Sequence, residues 1–421
     1  MAASFAALCL LVMTNVIWLD VSLNNIDDLD IAADKHNYNL LHQLQKRHPN
    51  NNNHNNNNND DDDGPPSRDT SRGYDVIIVV HHDDMDTLIE WGLQSFQDKL
   101  VDFDSGGRIF AIGTTQAVDK LQSLKKKSHA TGSVWSRLYP INENIYPFGL
   151  ADIQNVVTKK PTWNFQQLLK MYAHRALTAK GYKVRRHFLV IDADTVLVNP
   201  LSMQEQKEKV VDGGRWFVCI ASFSSGAFKN DCDIGPPLVT EALGPQFQRS
   251  FPHHGKEKFT AICHHMLFDG VFLGGMLDHI EKKFNQKPWI SLGALKRSNL
   301  SEYELYVAWL MKNHRESVAA RQVPYVNWGR ADKESLHIAN TFGVKYLTNH
   351  DDYTPQNICC VNSQWPSDSA IFKQLNAPKC RTCSTNKEEI ITHIDCNVLG
   401  IDGCHYVNST DAGGYMIFEA K

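Results

Sequence analysis

Residues 187–200 read HFLVIDADTVLVNP, an apolar strand-like run that ends on two aspartates, Asp192 and Asp194. The unbroken hydrophobicity of Phe188 to Ile191 implies a strand buried on both faces, with the carboxylates delivered at its carboxyl end. Two acids in apolar surroundings are costly unless a cation or a set of donors compensates them. Oxygen ligands of this kind suit Mn2+ or Mg2+, and a diphosphate can complete the coordination sphere. A D-x-D triplet by itself is common as a solvated turn, so its weight comes from its position.

Upstream, Tyr74 to Val80 is a β-branched run, Leu88 to Phe96 has helical character, and Arg108 to Gly113 is a second apolar run. This βαβ pattern predicts an open sheet whose ligands sit beyond the carboxyl ends of its strands. From Asn164 to Lys180, Phe165, Leu168, Leu169, Tyr172, Ala173, Ala176 and Leu177 recur at helical spacing, and Gly181 stops the helix. Gln166, Gln167, Lys170, His174 and Arg175 fall on its other positions.

The stretch FLVIDADTVLVNP resembles the metal-binding strand and turn of GT-A glycosyltransferases. Three further segments, Trp163 to Lys170 (WNFQQLLK), His264-His265-Met266 and Ser301 to Tyr306 (SEYELY), are similar to those of a group of nucleotide-diphospho-sugar transferases. The similarity runs from Tyr74 to Tyr353. It implies an α/β fold of GT-A, Rossmann-like type: an open mixed sheet with flanking helices, as a catalytic domain over 74–354. It also implies a nucleotide-sugar donor and a hydroxyl acceptor on a glycan, protein or lipid. Asp192 and Asp194 would bind the metal, with Asp192 also near the donor diphosphate, while His81 and Asp83 would lie near the nucleotide. Gln167 and Lys170 either face the same cleft or belong to an exposed helix face; the charge of Lys170 suits a phosphate.

Ser301 reads as an N-cap, with Glu302 and Glu304 complementing the helix dipole, and that alone accounts for both acids. The resemblance adds a second role, a general base for the acceptor hydroxyl, with Glu302 slightly preferred to Glu304. His264 and His265, as strand neighbours, point to opposite faces, so at most one enters a donor or acceptor pocket. Asp269 reads as the cap of the following helix. His337 is a candidate third metal ligand through the resemblance alone.

Residues 1–22 hold an apolar stretch, Ala2 to Leu19, that reads as a signal anchor or a cleaved signal peptide. An Asn and Asp tract within 23–73 cannot bury a core and reads as a stem or a plain low-complexity expansion. Six of the ten cysteines fall in a Cys-rich C-terminal extension, 355–421, where disulfides are more economical than a zinc site. With the sequons Asn299-Leu300-Ser301 and Asn408-Ser409-Thr410, these features point to the lumen of the endoplasmic reticulum or Golgi, as a type II membrane protein, or to secretion if the start is cleaved. A formal net charge of -4 offers no basic field for nucleic acid. Two alternatives stay open: a haloacid dehalogenase-type phosphatase with Asp192 as nucleophile, and a non-catalytic sugar-binding relative.

Overall fold

The computed structural model describes residues 73–421 apart from 105, 129–132, 157–159, 204–214, 225–234, 248–256, 296–299, 329–330, 342, 350–358, 362–380, 383–403, 408–414 and 420–421. The expected anchor and stem therefore lie outside the described residues but for Gly73. Among the described residues no helix is long and apolar enough to cross a membrane.

The first sheet is built on β1 (Asp75–Val80), β2 (Ile109–Gly113), β3 (Leu138–Asn142), β4 (His187–Ile191) and β8 (His265–Asp269), in the order β3-β2-β1-β4-β8. Four strands are parallel and β8 runs antiparallel on the β4 edge. β1 and β2 are buried at every position, whereas edge strand β3 mixes buried and open positions, as continuous and interrupted hydrophobicity dictate. Asp75 is the polar exception in β1. Its two oxygens accept the backbone N–H groups of Arg108 and Arg185, at 2.9 and 2.8 Å, so one buried carboxylate ties the chain entering β2 to the chain entering β4.

After β1 the chain runs as helix over Met85–Thr87, widens into a π-helical turn at Leu88–Gly92, and continues as α1, Leu93–Lys99. The expected helix is thus longer at both ends. Helix α2 (Thr115–Lys127) links β2 to β3, and α3 (Pro161–Ala179) packs beside β1 and leads to β4. Gly181, at φ +83°, takes the left-handed conformation that ends α3 at no Cβ cost.

The second half of the opening motif forms β5 (Thr195–Leu197), which leaves the first sheet for a second. There it pairs antiparallel with β11 (Tyr346–Asn349), followed by β10 (Tyr325–Trp328), β12 (Cys359–Val361) and β13 (Arg381–Thr382). A third sheet has the order β14-β15-β9-β6-β7, from β6 (Trp216–Ser224), β7 (Glu257–Thr260), β9 (Val318–Gln322), β14 (Cys404–Val407) and β15 (Tyr415–Phe418). The described strands of the expected extension are therefore not set apart: β12 pairs with β10 and β15 with β9. Arg68–Lys421 forms one compact unit.

Cys219 on β6 is disulfide-bonded to Cys263, next to β8, and both are buried. Cys404 is also disulfide-bonded. Residues 380, 383 and 396 lie outside the described residues. The Cys219–Cys263 cross-link closes a separation of 44 residues, for which chain entropy sets a stabilisation of up to about 4 kcal/mol. Cys219→Ser is expected to lower the unfolding free energy by about 2–4 kcal/mol in urea titrations, and reductant should affect the variant less than the parent.

Asp269 ends β8 and caps α4 (Gly270–Phe284): its Oδ1 accepts from Val271 N at 2.8 Å and Phe272 N at 3.3 Å. Its Oδ2 meets Arg186 at 2.8 Å and His187 at 3.2 Å. Burial alone would raise this carboxyl, but the His187 and Arg186 contacts hold it down at about 2. A depressed acid stabilises the fold above its ordinary value of 3.8 and loses that effect as pH falls through 2. Asp269→Asn should therefore cost about 2 kcal/mol near neutrality and flatten the acid limb of the stability profile, as read by denaturant titration at several pH values.

Candidate functional site

The D-x-D triplet is the crossing point between the first and second sheets, and backbone bonds fix it from three directions. Asp192 N donates to His264 O at 3.0 Å, Thr195 N donates back to Asp192 O at 3.1 Å, and Asn349 N on β11 donates to Asp194 O at 2.9 Å. Each side chain's direction follows from these constraints. Asp192 stays 19% exposed along its side chain, while Asp194 is buried.

Facing Asp192 is an ammonium that the helical pattern placed among polar positions. Lys170 on α3 is 2% exposed, and its Nζ donates to Asp192 Oδ1 at 2.6 Å and to Glu302 Oε1 at 2.9 Å. Glu302 opens helix α5 (Glu302–Asn313), behind the N-cap Ser301, whose Oγ accepts from Glu304 N at 3.4 Å. Gln167, one turn before Lys170, is buried as well; its amide is assigned nitrogen toward Glu302, donating to Oε1 at 2.6 Å, because the reverse would set oxygen against oxygen. An exposed-face reading of Gln167 and Lys170 is thereby overturned. Their apparent polar face is the wall of a buried ion triad.

Desolvation opposes every charge in this triad, and the partners reverse it at Lys170 and Asp192 but not at Glu302. Burial alone would lower Lys170, but Asp192 and Glu302 raise it well above its ordinary value. Burial pushes Asp192 up, yet Lys170 and His264 carry it below the usual carboxylate range. For Glu302 burial prevails over Lys170, and the carboxyl is raised. Asp194 is pushed up to about 7, first by burial and then, against the pull of His264, by the negative charges of Asp192 and Asp84.

His264 completes the cluster. It sits at φ +56°, a left-handed conformation costing a non-glycine residue about 1–3 kcal/mol, and its Nδ1 lies 3.1 Å from Asp192 Oδ2. Neighbouring bonds impose that turn: Cys263 is held by its disulfide, and its carbonyl accepts from His265 Nδ1 at 2.8 Å and Tyr346 Oη at 2.6 Å. His265 is turned into the core against the Tyr346 ring, where burial drives its pKa down to about 3 and keeps it neutral. The two histidines thus part company, through a backbone turn as well as strand alternation.

One ligand atom each from Asp192, Asp194 and His264 lies within 4.8 Å of the others. Two carboxylates and an imidazole make an oxygen-rich set with one nitrogen, which Mn2+ accepts more readily than Mg2+. A divalent cation would offset both the burial and the neighbouring acids that raise the Asp194 carboxyl. His337 is exposed on helix α6 (Lys333–Thr341) and is not in this set, so the third ligand position, a nitrogen, goes to His264. Tyr303, not anticipated, reaches Asp192 Oδ1 from the same helix turn as Glu302, at 3.4 Å.

Glu302 and Glu304 do not stand as general bases. Glu302 is 1% exposed and committed to Lys170 and Gln167. Glu304 is buried beneath β7, accepting from Thr260 Oγ1 and, at 2.9 Å, from Ala261 N. His81 and Asp83 are exposed just after β1, at the same end of the sheet as Asp192, and pair with each other at 3.0 Å; His82 meets Asp83 at 2.8 Å.

The class that this fold and site define is a mixed α/β protein with a parallel-rich sheet and a D-x-D at its exit into a second sheet. No family model matches the chain, nor does any curated protein. Solved structures that overlay on it include mouse xyloside xylosyltransferase 1 in its apo form, at 10% identity and TM-score 0.33, over 66% of this chain and 98% of that one. The mannosyltransferase Ktr4p of S. cerevisiae overlays at 11% identity and TM-score 0.34, over 61% of this chain and 70% of that one. The glycosyltransferase GlyE of Streptococcus pneumoniae TIGR4 overlays at 10% identity and TM-score 0.30, over 66% of this chain and 54% of that one.

Removing one member of a buried ion cluster leaves an uncompensated charge. Lys170→Met is expected to destabilise the fold by about 3–5 kcal/mol. Adding Glu302→Gln should recover part of that loss, as read by urea denaturation of the single and double variants.

Proposed function

We propose that the protein is a metal-dependent glycosyltransferase, moving a sugar from a nucleoside-diphosphate donor to a hydroxyl acceptor. The observation that carries this reading is the convergence of Asp192, Asp194 and His264 at the carboxyl end of a buried parallel strand. A divalent cation bound there would supply positive charge to offset that of a diphosphate leaving group. Asp192, Asp194 and His264 would hold it. Lys170 and Tyr303 fix the other Asp192 oxygen, so the carboxylate meets the donor in one orientation. With Glu302 and Glu304 both committed to internal bonds, an inverting course would need its base elsewhere, whereas a retaining course needs none.

Placement in the secretory lumen is part of the same reading. It is supported by the Cys219–Cys263 cross-link, the bonded Cys404, the two sequons and the apolar residues 2–19. The N-terminal segment would then tether the enzyme to a membrane if it is retained.

The phosphatase alternative is disfavoured by topology and by contact. The D-x-D strand is the fourth of its sheet in chain order, and both Asp192 oxygens are engaged by neighbours, a poor state for a nucleophile. A panel of nucleotide sugars with Mn2+, read by thermal stabilisation and donor hydrolysis, tests the proposal. The wild-type chain should respond to at least one donor, and Asp194→Asn should lose metal affinity by more than about 100-fold. Hydrolysis of an aryl phosphate with Mg2+, abolished in Asp192→Asn and without any nucleotide response, would install the phosphatase instead.

A further inference from the structure

Trp163, Gln167 and Lys170 are spaced i, i+4 and i+7 on α3, so they form one stripe of the helix. The stripe changes character along its length. Gln167 and Lys170 are buried against Glu302 and Asp192, while Trp163 is 42% exposed. Because α3 runs antiparallel to the β4 strand that follows it, its N-terminal end projects on the side where Asp192 leaves the sheet. Seven residues of helical rise place Trp163 about 10 Å beyond Lys170 along the helix axis. The indole therefore stands on the solvent side of the D-x-D centre.

It is also held still. Trp163 Nε1 donates to Leu300 O at 2.8 Å, and the next residue, Asn164, accepts from Leu300 N through Oδ1 at 3.0 Å. Both polar groups of Leu300, the residue before the N-cap Ser301, are thus gripped by the first turn of α3. The indole N–H is spent on this clasp, which orders a side chain still 42% exposed before any ligand arrives. The other exposed large apolar side chains among the described residues, Val101, Tyr139, Tyr182, Val271 and Tyr406, lie on neither α3 nor α5.

We propose that Trp163 is a stacking platform for a pyranose ring of an oligosaccharide acceptor, bound one or two sugar units from the reacting hydroxyl. The inference rests on the glycosyltransferase reading and narrows its acceptor from any hydroxyl to a glycan. The negative face of an indole attracts the polarised C–H groups on the flat side of a sugar ring. The immediate surroundings favour a sugar over a lipid chain: Lys160 and Thr162 are exposed and Gln166 is half-buried, giving hydroxyl partners around a single aromatic face. A lipid tail would need a contiguous apolar patch, and a lone indole does not make one.

The test uses the full chain on an array of oligosaccharides covering hexose, pentose, deoxyhexose and N-acetylhexosamine residues. Wild-type protein should bind a subset. Trp163→Ala should weaken that binding by about tenfold or more, and Trp163→Phe, which keeps a flat ring but loses the N–H clasp, should stay within about threefold. Thermal melting of each variant separates this loss from unfolding. Equal binding by folded Trp163→Ala, or no glycan binding by the wild type, overturns the platform. Manganese-dependent stabilisation of the wild type by uridine and guanosine diphosphates is measured alongside. Its absence with glycan binding intact defeats the transferase reading and not the platform.

Discussion

One ammonium buried between two carboxylates sets the terms for the rest of this site. Lys170 joins Asp192, from the end of β4, to Glu302, from the start of α5, and so binds the central sheet to two helices through a single polar contact point. Taking three charges out of water is unfavourable in isolation, and only their mutual geometry offsets it. A buried ion cluster of this kind adds little net stability over an apolar replacement. What it supplies is direction, because each carboxylate has one orientation in which its partner is reached.

That direction divides labour between the two aspartates. Asp192 is charged, held on both oxygens and partly open; Asp194 is buried, and its carboxyl is shifted toward neutrality. The first is an oriented, charged acceptor, while burial and the neighbouring acids hold the second toward its neutral form. His264 stands between them by virtue of an unfavourable backbone conformation that a disulfide, a histidine and a tyrosine jointly enforce. Strain at such a position persists only where the surroundings over-determine it, and here three independent bonds to Cys263 do so.

Much of this architecture was legible in the sequence, for reasons that also explain what was not. Runs such as Val76 to Val80 and Phe188 to Ile191 announce strands buried on both faces, and the D-x-D at the end of the latter needed only that placement to gain meaning. Gln167 and Lys170 were ambiguous because helical periodicity sorts residues into apolar and polar faces and assigns the polar face to solvent. Their partners are a strand end and a distant helix start, which no local window contains. His264 could be paired with the aspartates only once the left-handed turn was known, and His337 sits on a helix whose outer face is open. The Cys219–Cys263 link is equally hidden, since cysteine spacing carries no connectivity.

The strands contributed from beyond residue 354 carry a consequence for how the molecule is made. Strand β9 has β6 on one side and, on the other, β15, whose Met416 faces Ala320; β10 waits in the same way for Cys359–Val361. Until those late residues emerge, both sheets present a raw edge, the kind of surface on which chains pair with one another instead of with themselves. Closing them requires contacts between residues far apart in sequence, which are slow to form. The D-x-D turn joins the second sheet at its other end, through β5 against β11, so the late strands close the edge far from it. The interval before the late strands dock is therefore when the open edges put solubility most at risk.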